Sequence, residues 1–113
     1  MKSEELMIGN YISYKGEAHK VVGIIPPYLD LVDLKGNQIY SVHEERIEPI
    51  PLTREILDRN CIHNEDDKYY FVDFFVKCRG NFFYCNEEGY FINYIHELQN
   101  FDLLVNGGSN IKL

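Results

Sequence analysis

Between Ile8 and Pro51 the chain reads IGNYISYKGEAHKVVGIIPPYLDLVDLKGNQIYSVHEERIEPIP, in which five short apolar runs are separated by turn residues. The Lys-Gly pairs at Gly16 and Gly36 are typical of tight hairpins. The isolated Gly23 lies within a strand pattern, where a glycine indicates a bulge or a sharp bend. We therefore expect five strands, with a single helical turn between the fourth and the fifth.

This order of strands and turns resembles the SH3-like barrel, an architecture that many unrelated binding and processing modules share. The resemblance covers about residues 6–51 and rests on the spacing of the turns, without a signature motif. It implies a fold and no activity, because fold and function separate readily in common architectures. We assign residues 1–51 to an SH3-like five-stranded β-barrel.

Residues 52–113 are expected to form a helix-meander-helix subdomain that packs with the barrel as one unit, giving an α+β protein. Thr53 suits the N-cap of a short first helix, and Gly107 is typical of the end of an amphipathic C-terminal helix. Between the helices we expect a three-stranded antiparallel meander, with a glycine turn at 87–89. Its strands are predicted at Tyr69–Cys78, Phe82–Asn86 and Tyr90–Asn93.

Composition restricts the partners that we expect. The formal net charge is −7, with 11 basic and 18 acidic residues and no basic tail, which argues against a phosphate backbone as the main partner. The apolar runs are far shorter than a membrane span, and the acidic first residues do not resemble a signal peptide. The 3 cysteines are too few for a secreted disulfide scaffold. We expect a cytoplasmic protein with free thiols and no membrane partner.

Four residues with suitable side chains raise the question of a zinc site: Cys61, His63, Cys78 and Cys85. Their spacing differs from that of closed zinc sites, which pair their ligands on tight turns. Strand alternation instead places Cys78 and Cys85 on one buried face, as small apolar residues. We therefore predict no metal and no cofactor.

The sequence gives little support for a catalytic site or for an aromatic cage that binds a methylated lysine. The histidines His19, His43, His63 and His96 are expected on the surface, and no spacing pairs any of them with a nucleophile. We therefore predict no catalytic residues and no enzymatic activity. An aromatic cage for a methylated lysine is a further reading of the barrel tyrosines, but such rings more often cover the ends of a small barrel. Those tyrosines are Tyr11, Tyr14, Tyr28 and Tyr40.

The strongest candidate for an interaction surface comes from the first meander strand. If this strand is continuous, one of its faces carries Tyr69, Phe71 and Phe75, together with Asp73 and Lys77. The opposite face of the strand is also apolar. Two interpretations remain open: the barrel or the first helix covers the three rings, or they form a partner surface or a homodimer contact.

Three segments give the chain a more particular resemblance. Ile-Gly-Asn-Tyr at 8–11, Ile-Glu-Pro-Ile-Pro-Leu-Thr-x-Glu-Ile-Leu at 47–57 and Tyr-Ile-His-Glu-Leu-Gln-Asn at 94–100 resemble a family of small uncharacterised proteins of gut anaerobes and their phages or mobile elements. The resemblance spans nearly the whole chain, but it implies no reaction and carries over no functional residue.

These observations favour a non-enzymatic protein-protein interaction module or modulator with an unknown protein partner. The alternative is a nucleic-acid-associated small-barrel binding protein, because small barrels with tyrosines often stack bases. The acidic balance of the chain counts against that alternative.

Overall fold

A computed structural model of the protein describes residues 1–86 and 90–113. The fold is α+β, with two antiparallel five-stranded sheets and two α-helices. The chain divides into two compact units, Met1–Ile50 and Pro51–Leu113, and each unit contains one sheet. The turn predicted at 87–89 lies outside the described residues.

The first unit contains the five strands that the sequence predicts, with a 3₁₀ turn at Glu44–Arg46 between the last two. The sheet order is β4-β3-β2-β1-β5, so β4 and β5 are its edges. Neither sheet closes on itself among the described residues, and the predicted SH3-like barrel is therefore not confirmed. The strands are β1 (Tyr11–Tyr14), β2 (Glu17–Ile25), β3 (Tyr28–Asp33), β4 (Gln38–His43) and β5 (Ile47–Pro49).

The predicted irregularity at Gly23 is present in β2. The register between β2 and β3 shifts between Val21 and Gly23, as in a β-bulge. A Cβ atom at position 23 would lie 3.0 Å from Oδ2 and 3.2 Å from Cβ of Asp30. The Asp30 carboxylate in turn accepts the backbone N–H of Ser41 at 2.9 Å. The absence of a side chain at Gly23 thus lets the bulge approach a carboxylate that ties β3 to β4.

Alternation along the strands produces the core of the first unit. Residues with 0% or 1% of their surface exposed come from four different strands and form one apolar cluster. They are Ile12, Val21, Leu29, Leu31 and Ile47. Leu6 extends this cluster from the segment before β1.

The second sheet differs from the predicted meander. It has five strands in the order β10-β9-β8-β7-β6. The single strand predicted at Tyr69–Cys78 is wrong, because the chain reverses at Val72 and Asp73, and Asp73 has a φ of 65°. Aspartate tolerates this left-handed conformation better than most residues. The strands are β6 (His63–Glu65), β7 (Lys68–Phe71), β8 (Phe74–Arg79), β9 (Phe82–Cys85) and β10 (Tyr90–Phe91).

Two capped helices accompany this sheet, α1 (Arg54–Asn60) and α2 (Ile95–Asn106). Thr53 caps α1 as predicted, since its hydroxyl accepts the backbone N–H of Ile56 at 3.2 Å. The Glu97 carboxylate accepts the backbone N–H of Tyr94 at 3.1 Å at the start of α2. Gly107 ends α2 with a φ of 73°.

The helices pack on one face of the second sheet through apolar residues. Phe74 contacts Phe101 of α2 edge-on, with 5.1 Å between the ring centroids. Tyr90 lies 6.0 Å from the same ring. Directly opposite residues of an antiparallel sheet point to the same side, so the register assigns Tyr69, Val76 and Cys85 to the face that contains Phe74 and Tyr90. We call this the helix-covered face.

The C-terminal tail after α2 is bonded back onto the second unit. The Asn60 side chain accepts the backbone N–H of Lys112 at 2.7 Å and donates to the carbonyl of the same residue at 2.7 Å. Asp102 accepts the backbone N–H of Asn110 at 3.0 Å. Ile111, between these contacts, is 4% exposed.

The core of the first unit gives a stability prediction. Leu31→Ala should lower the free energy of unfolding by about 2–5 kcal/mol, because it leaves a cavity at a side chain that is 0% exposed. Leu34→Ala makes the same chemical change at a residue that is 68% exposed. It should change the stability by less than about 0.5 kcal/mol. Urea denaturation followed by circular dichroism measures both, and equal losses would contradict the described core.

Candidate functional site

The reversal at Val72 and Asp73 separates the three residues predicted as an interaction surface. Tyr69 lies opposite Val76 and Phe71 lies opposite Phe74, so both belong to the helix-covered face. Tyr69 is 7% exposed, and the Phe71 ring is stacked on the Phe74 ring with 4.9 Å between centroids. Phe75 lies opposite Tyr70 on the other face. The assignment of Tyr69, Phe71 and Phe75 to one face is therefore corrected by the turn.

The other face of the second sheet carries both rings and cations. The register gives its members on all five strands, and each of them is half-buried or exposed. We call it the aromatic-lysine face. It consists of His63, Glu65, Lys68, Tyr70, Phe75, Lys77, Arg79, Phe82, Tyr84 and Phe91.

The lysines lie in the middle of this face. Lys77 of β8 is directly opposite Lys68 of β7 on one side and Tyr84 of β9 on the other. Phe91 follows on β10, opposite Tyr84. A row across the sheet therefore passes from two aromatic residues to two lysines, and Glu65 ends it on β6.

The first aromatic group is formed by Phe82, Tyr84 and Phe91. The rings of Tyr84 and Phe91 are 4.7 Å apart between centroids, and Phe82 lies 6.1 Å from Phe91 with its ring edge-on. Phe82 and Phe91 are each 55% exposed. Two phenylalanine residues are thus about half exposed on this face of the sheet, where polar side chains are usual.

The second aromatic group lies in the row next to the lysines, where His63, Tyr70 and Phe75 are opposite one another on β6, β7 and β8. The rings of His63 and Tyr70 are stacked, with 4.4 Å between centroids and 9° between planes. Tyr70 lies 6.0 Å from Phe75. The ammonium of Lys68 is 5.1 Å from the centroid of the Phe75 ring, within the range of a cation-π contact.

The local charge of the face opposes that of the chain. Its described residues include three basic residues, Lys68, Lys77 and Arg79, and one acidic residue, Glu65. The whole chain has a formal net charge of −7. Flat rings bind other flat or apolar groups through their faces, and cations between them attract anions. The arrangement is therefore suited to a ligand that has both kinds of group.

The cysteines contribute no comparable chemistry. Cys78 and Cys85 are buried in the helix-covered face, which confirms the prediction that both are small buried residues. Burial raises the pKa of the Cys85 thiol to about 12, and burial also raises the pKa of Cys61 and Cys78. A thiol is a poor nucleophile until it is deprotonated. In the described part of the chain, no three His, Cys, Asp or Glu residues are grouped to hold a metal ion.

The prediction that all four histidines lie on the surface is wrong for two of them. His19 is 3% exposed and His96 is 4% exposed. The Nδ1 atom of His19 lies 2.9 Å from the carbonyl oxygen of Glu17, and its ring is edge-on to Tyr14. A satisfied ring nitrogen lets His19 serve as a core residue in the first unit.

Three of the four tyrosines considered for an aromatic cage line a pocket in the first unit. Tyr14, Tyr28 and Tyr40 surround an open volume of about 540 Å³, together with His43 and Arg46. Tyr11 is not among the residues that line it. The same wall contains both a cation, Arg46, and a carboxylate, Glu45, so the lining charges do not favour a methylated lysine over other ligands.

Comparison of the chain with protein-family models, curated proteins and solved structures found no match. The resemblance to the family from gut anaerobes and their phages stays a prediction. Among the described residues, no helix has the length and apolar character that crossing a membrane requires.

The thiols allow a direct test of burial. With a pKa of about 12, only roughly one Cys85 side chain in ten thousand is a thiolate at pH 8. Labelling of the folded protein with Ellman's reagent at pH 8 should therefore release less than one rapid equivalent, from the half-buried Cys61. All three thiols should react after unfolding in guanidinium. Cys61→Ser is the control, and a rapid equivalent that persists in this variant would contradict the described burial.

Proposed function

We propose that the protein is a non-enzymatic binding module that holds a macromolecular partner on the aromatic-lysine face. One observation carries this proposal: the face keeps Phe82 and Phe91 each 55% exposed beside a central pair of lysines. Contiguous exposed rings of this kind mark binding sites on soluble proteins.

The second unit does not need the aromatic residues of the aromatic-lysine face for its hydrophobic core. The buried residues Phe74, Val76 and Cys85 already supply the sheet's contribution to a core on the helix-covered face. The opposite side of a sheet with one covered face is usually polar. Exposed phenylalanines there lower solubility, so a partner that covers them is the simplest reason for their presence.

The proposal includes both classes of partner that the sequence suggests, proteins and nucleic acids. A protein partner, including a second copy of the chain, and a nucleic acid would both use the same face. The raised pKa values of the three thiols support a role without catalysis by a cysteine nucleophile. We place this module in the cytoplasm, where free cysteines are the normal state.

Site-specific photo-crosslinking in the native cells tests whether this face binds anything. Benzoylphenylalanine replaces Phe91 on the face in one variant and Leu104 of α2 in a control. Leu104 is 82% exposed, so the control reports random collisions with an accessible group. We expect a discrete adduct from position 91, and much less from position 104.

A second substitution makes this test specific. Lys77→Glu in the Phe91 crosslinking variant should abolish most of the adduct, because it reverses the charge at the centre of the face. Equal adducts from positions 91 and 104, or no adduct from position 91, would refute the aromatic-lysine face as the binding surface.

A further inference from the structure

We propose that the ligand of the aromatic-lysine face is a single-stranded nucleic acid. Its bases stack on the two aromatic groups, and its phosphates lie against Lys68, Lys77 and Arg79. This inference rests on the proposed function, since it names the partner of the same face.

The two aromatic groups are placed to receive separate bases. The first group lies on β9 and β10, and the pair of His63 and Tyr70 lies on β6 and β7. Three strand spacings, about 14 Å, separate them across the sheet. The two groups are also offset along the strands, because His63 and Tyr70 lie in the row next to that of Tyr84. Bases stack on aromatic side chains regardless of their sequence, because every base has a flat face. A single strand that crosses the sheet can therefore contact one group and then the other.

The two lysines adjoin both aromatic groups. Lys77 is opposite Tyr84 and lies two residues from Phe75 on β8. Lys68 lies two residues from Tyr70 on β7. Lys77 and Lys68 are opposite each other at the centre, between Tyr84 on one side and Glu65 on the other. Arg79 lies opposite Phe82 at the end of β8. A strand with bases on both aromatic groups places its intervening phosphates over the lysines. The face therefore offers cations beside both aromatic groups, and Glu65 is the carboxylate at the β6 end of the lysine row.

A duplex fits this face less well than a single strand. Base pairs in a duplex are stacked on each other, so their flat faces are not available to side chains on a sheet. The face offers rings for stacking, with half-exposed Phe82 and Phe91 on one side of the lysines. Extruded or unpaired bases are the groups that these rings can cover.

The lysines also distinguish this ligand from a protein partner. Protein-protein interfaces are depleted in lysine at their centres and enriched in aromatic residues and arginine. Here Lys68 and Lys77 occupy the centre of the face. A symmetric homodimer with its two-fold axis at the centre of this face would bring the two lysine pairs together, and like charges facing each other destabilise such a contact.

The negative net charge of the chain affects the expected affinity and its dependence on salt. With a net charge of −7, long-range attraction does not assist association, so affinity depends on contacts within the face. Each phosphate neutralised on a single strand contributes about −0.7 to the slope of log K against log salt concentration. Two or three contacts give an expected slope of about −1.4 to −2.1.

Fluorescence anisotropy of a labelled oligothymidylate tests the inference. The probe has about 16 nucleotides, the upper end of single-strand site sizes for one small domain. We expect micromolar binding with the salt slope given above, and weaker binding of a duplex of the same length. A duplex that binds more tightly than the single strand, or a slope near zero, would overturn the proposed stacking on this face.

Matched substitutions locate the binding. Phe91→Ala should weaken it about tenfold through the loss of one stacked base. Leu104→Ala is its control, since Leu104 is 82% exposed on α2. Lys77→Glu should weaken binding by a similar factor and reduce the magnitude of the salt slope by about 0.7.

Lys35→Glu is the control for Lys77→Glu, because it changes the net charge equally on an exposed turn of the first unit. It should alter affinity less than about twofold if the interaction is local. Equal losses from Lys35→Glu and Lys77→Glu would overturn the assignment to this face. Circular dichroism of each variant verifies that the fold is retained.

The two proposals can fail separately. If the oligothymidylate does not bind at micromolar protein, the inference is overturned. The adduct from position 91 then decides the proposed function: a protease-sensitive, nuclease-resistant adduct supports a protein partner on the face. Without that adduct, both proposals are refuted. A nuclease-sensitive adduct together with oligothymidylate binding supports both.

Discussion

The chain reversal at Val72 and Asp73 is the constraint on which the second unit depends. Asp73 has a φ of 65°, which allows β7 to fold directly back along β8. In the resulting hairpin Phe71 is opposite Phe74, and Tyr70 is opposite Phe75. One turn therefore decides which rings pack beneath the helices and which rings share a side with the lysines.

This division explains how a sheet can have aromatic residues on both sides. On the helix-covered face, Phe74 and Val76 are buried and contribute apolar area to a core. On the aromatic-lysine face the rings partly cover one another, as Tyr84 and Phe91 do at 4.7 Å. The ammonium of Lys68 covers part of Phe75. Mutual contact reduces the apolar area in water, but it leaves Phe82 and Phe91 half exposed.

The sequence allows part of this structure to be predicted. The hairpins at Gly16 and Gly36, the bulge at Gly23 and the helix ends at Thr53 and Gly107 follow from local chemistry that a single sequence contains. Barrel closure depends on pairing between distant strands, so turn spacing could not decide it. The turn at Asp73 contains no glycine or proline, and apolar residues on both sides hid the reversal from a pattern of period two. Continuing that pattern through position 73 placed Phe75 on the same face as Tyr69.

The net charge of the whole chain does not give the charge of each part of its surface. An excess of 7 negative charges argues against a nucleic acid only when the charges are averaged over the chain. Screening in salt limits the reach of exposed charges to about 8–10 Å, so a ligand on one sheet face responds mainly to that face. Lys68 and Lys77 are separated in sequence by eight residues, five of them aromatic, and the hairpin brings the two lysines opposite each other. The cationic centre is thus a product of the fold, and the same turn that sorts the rings also creates it.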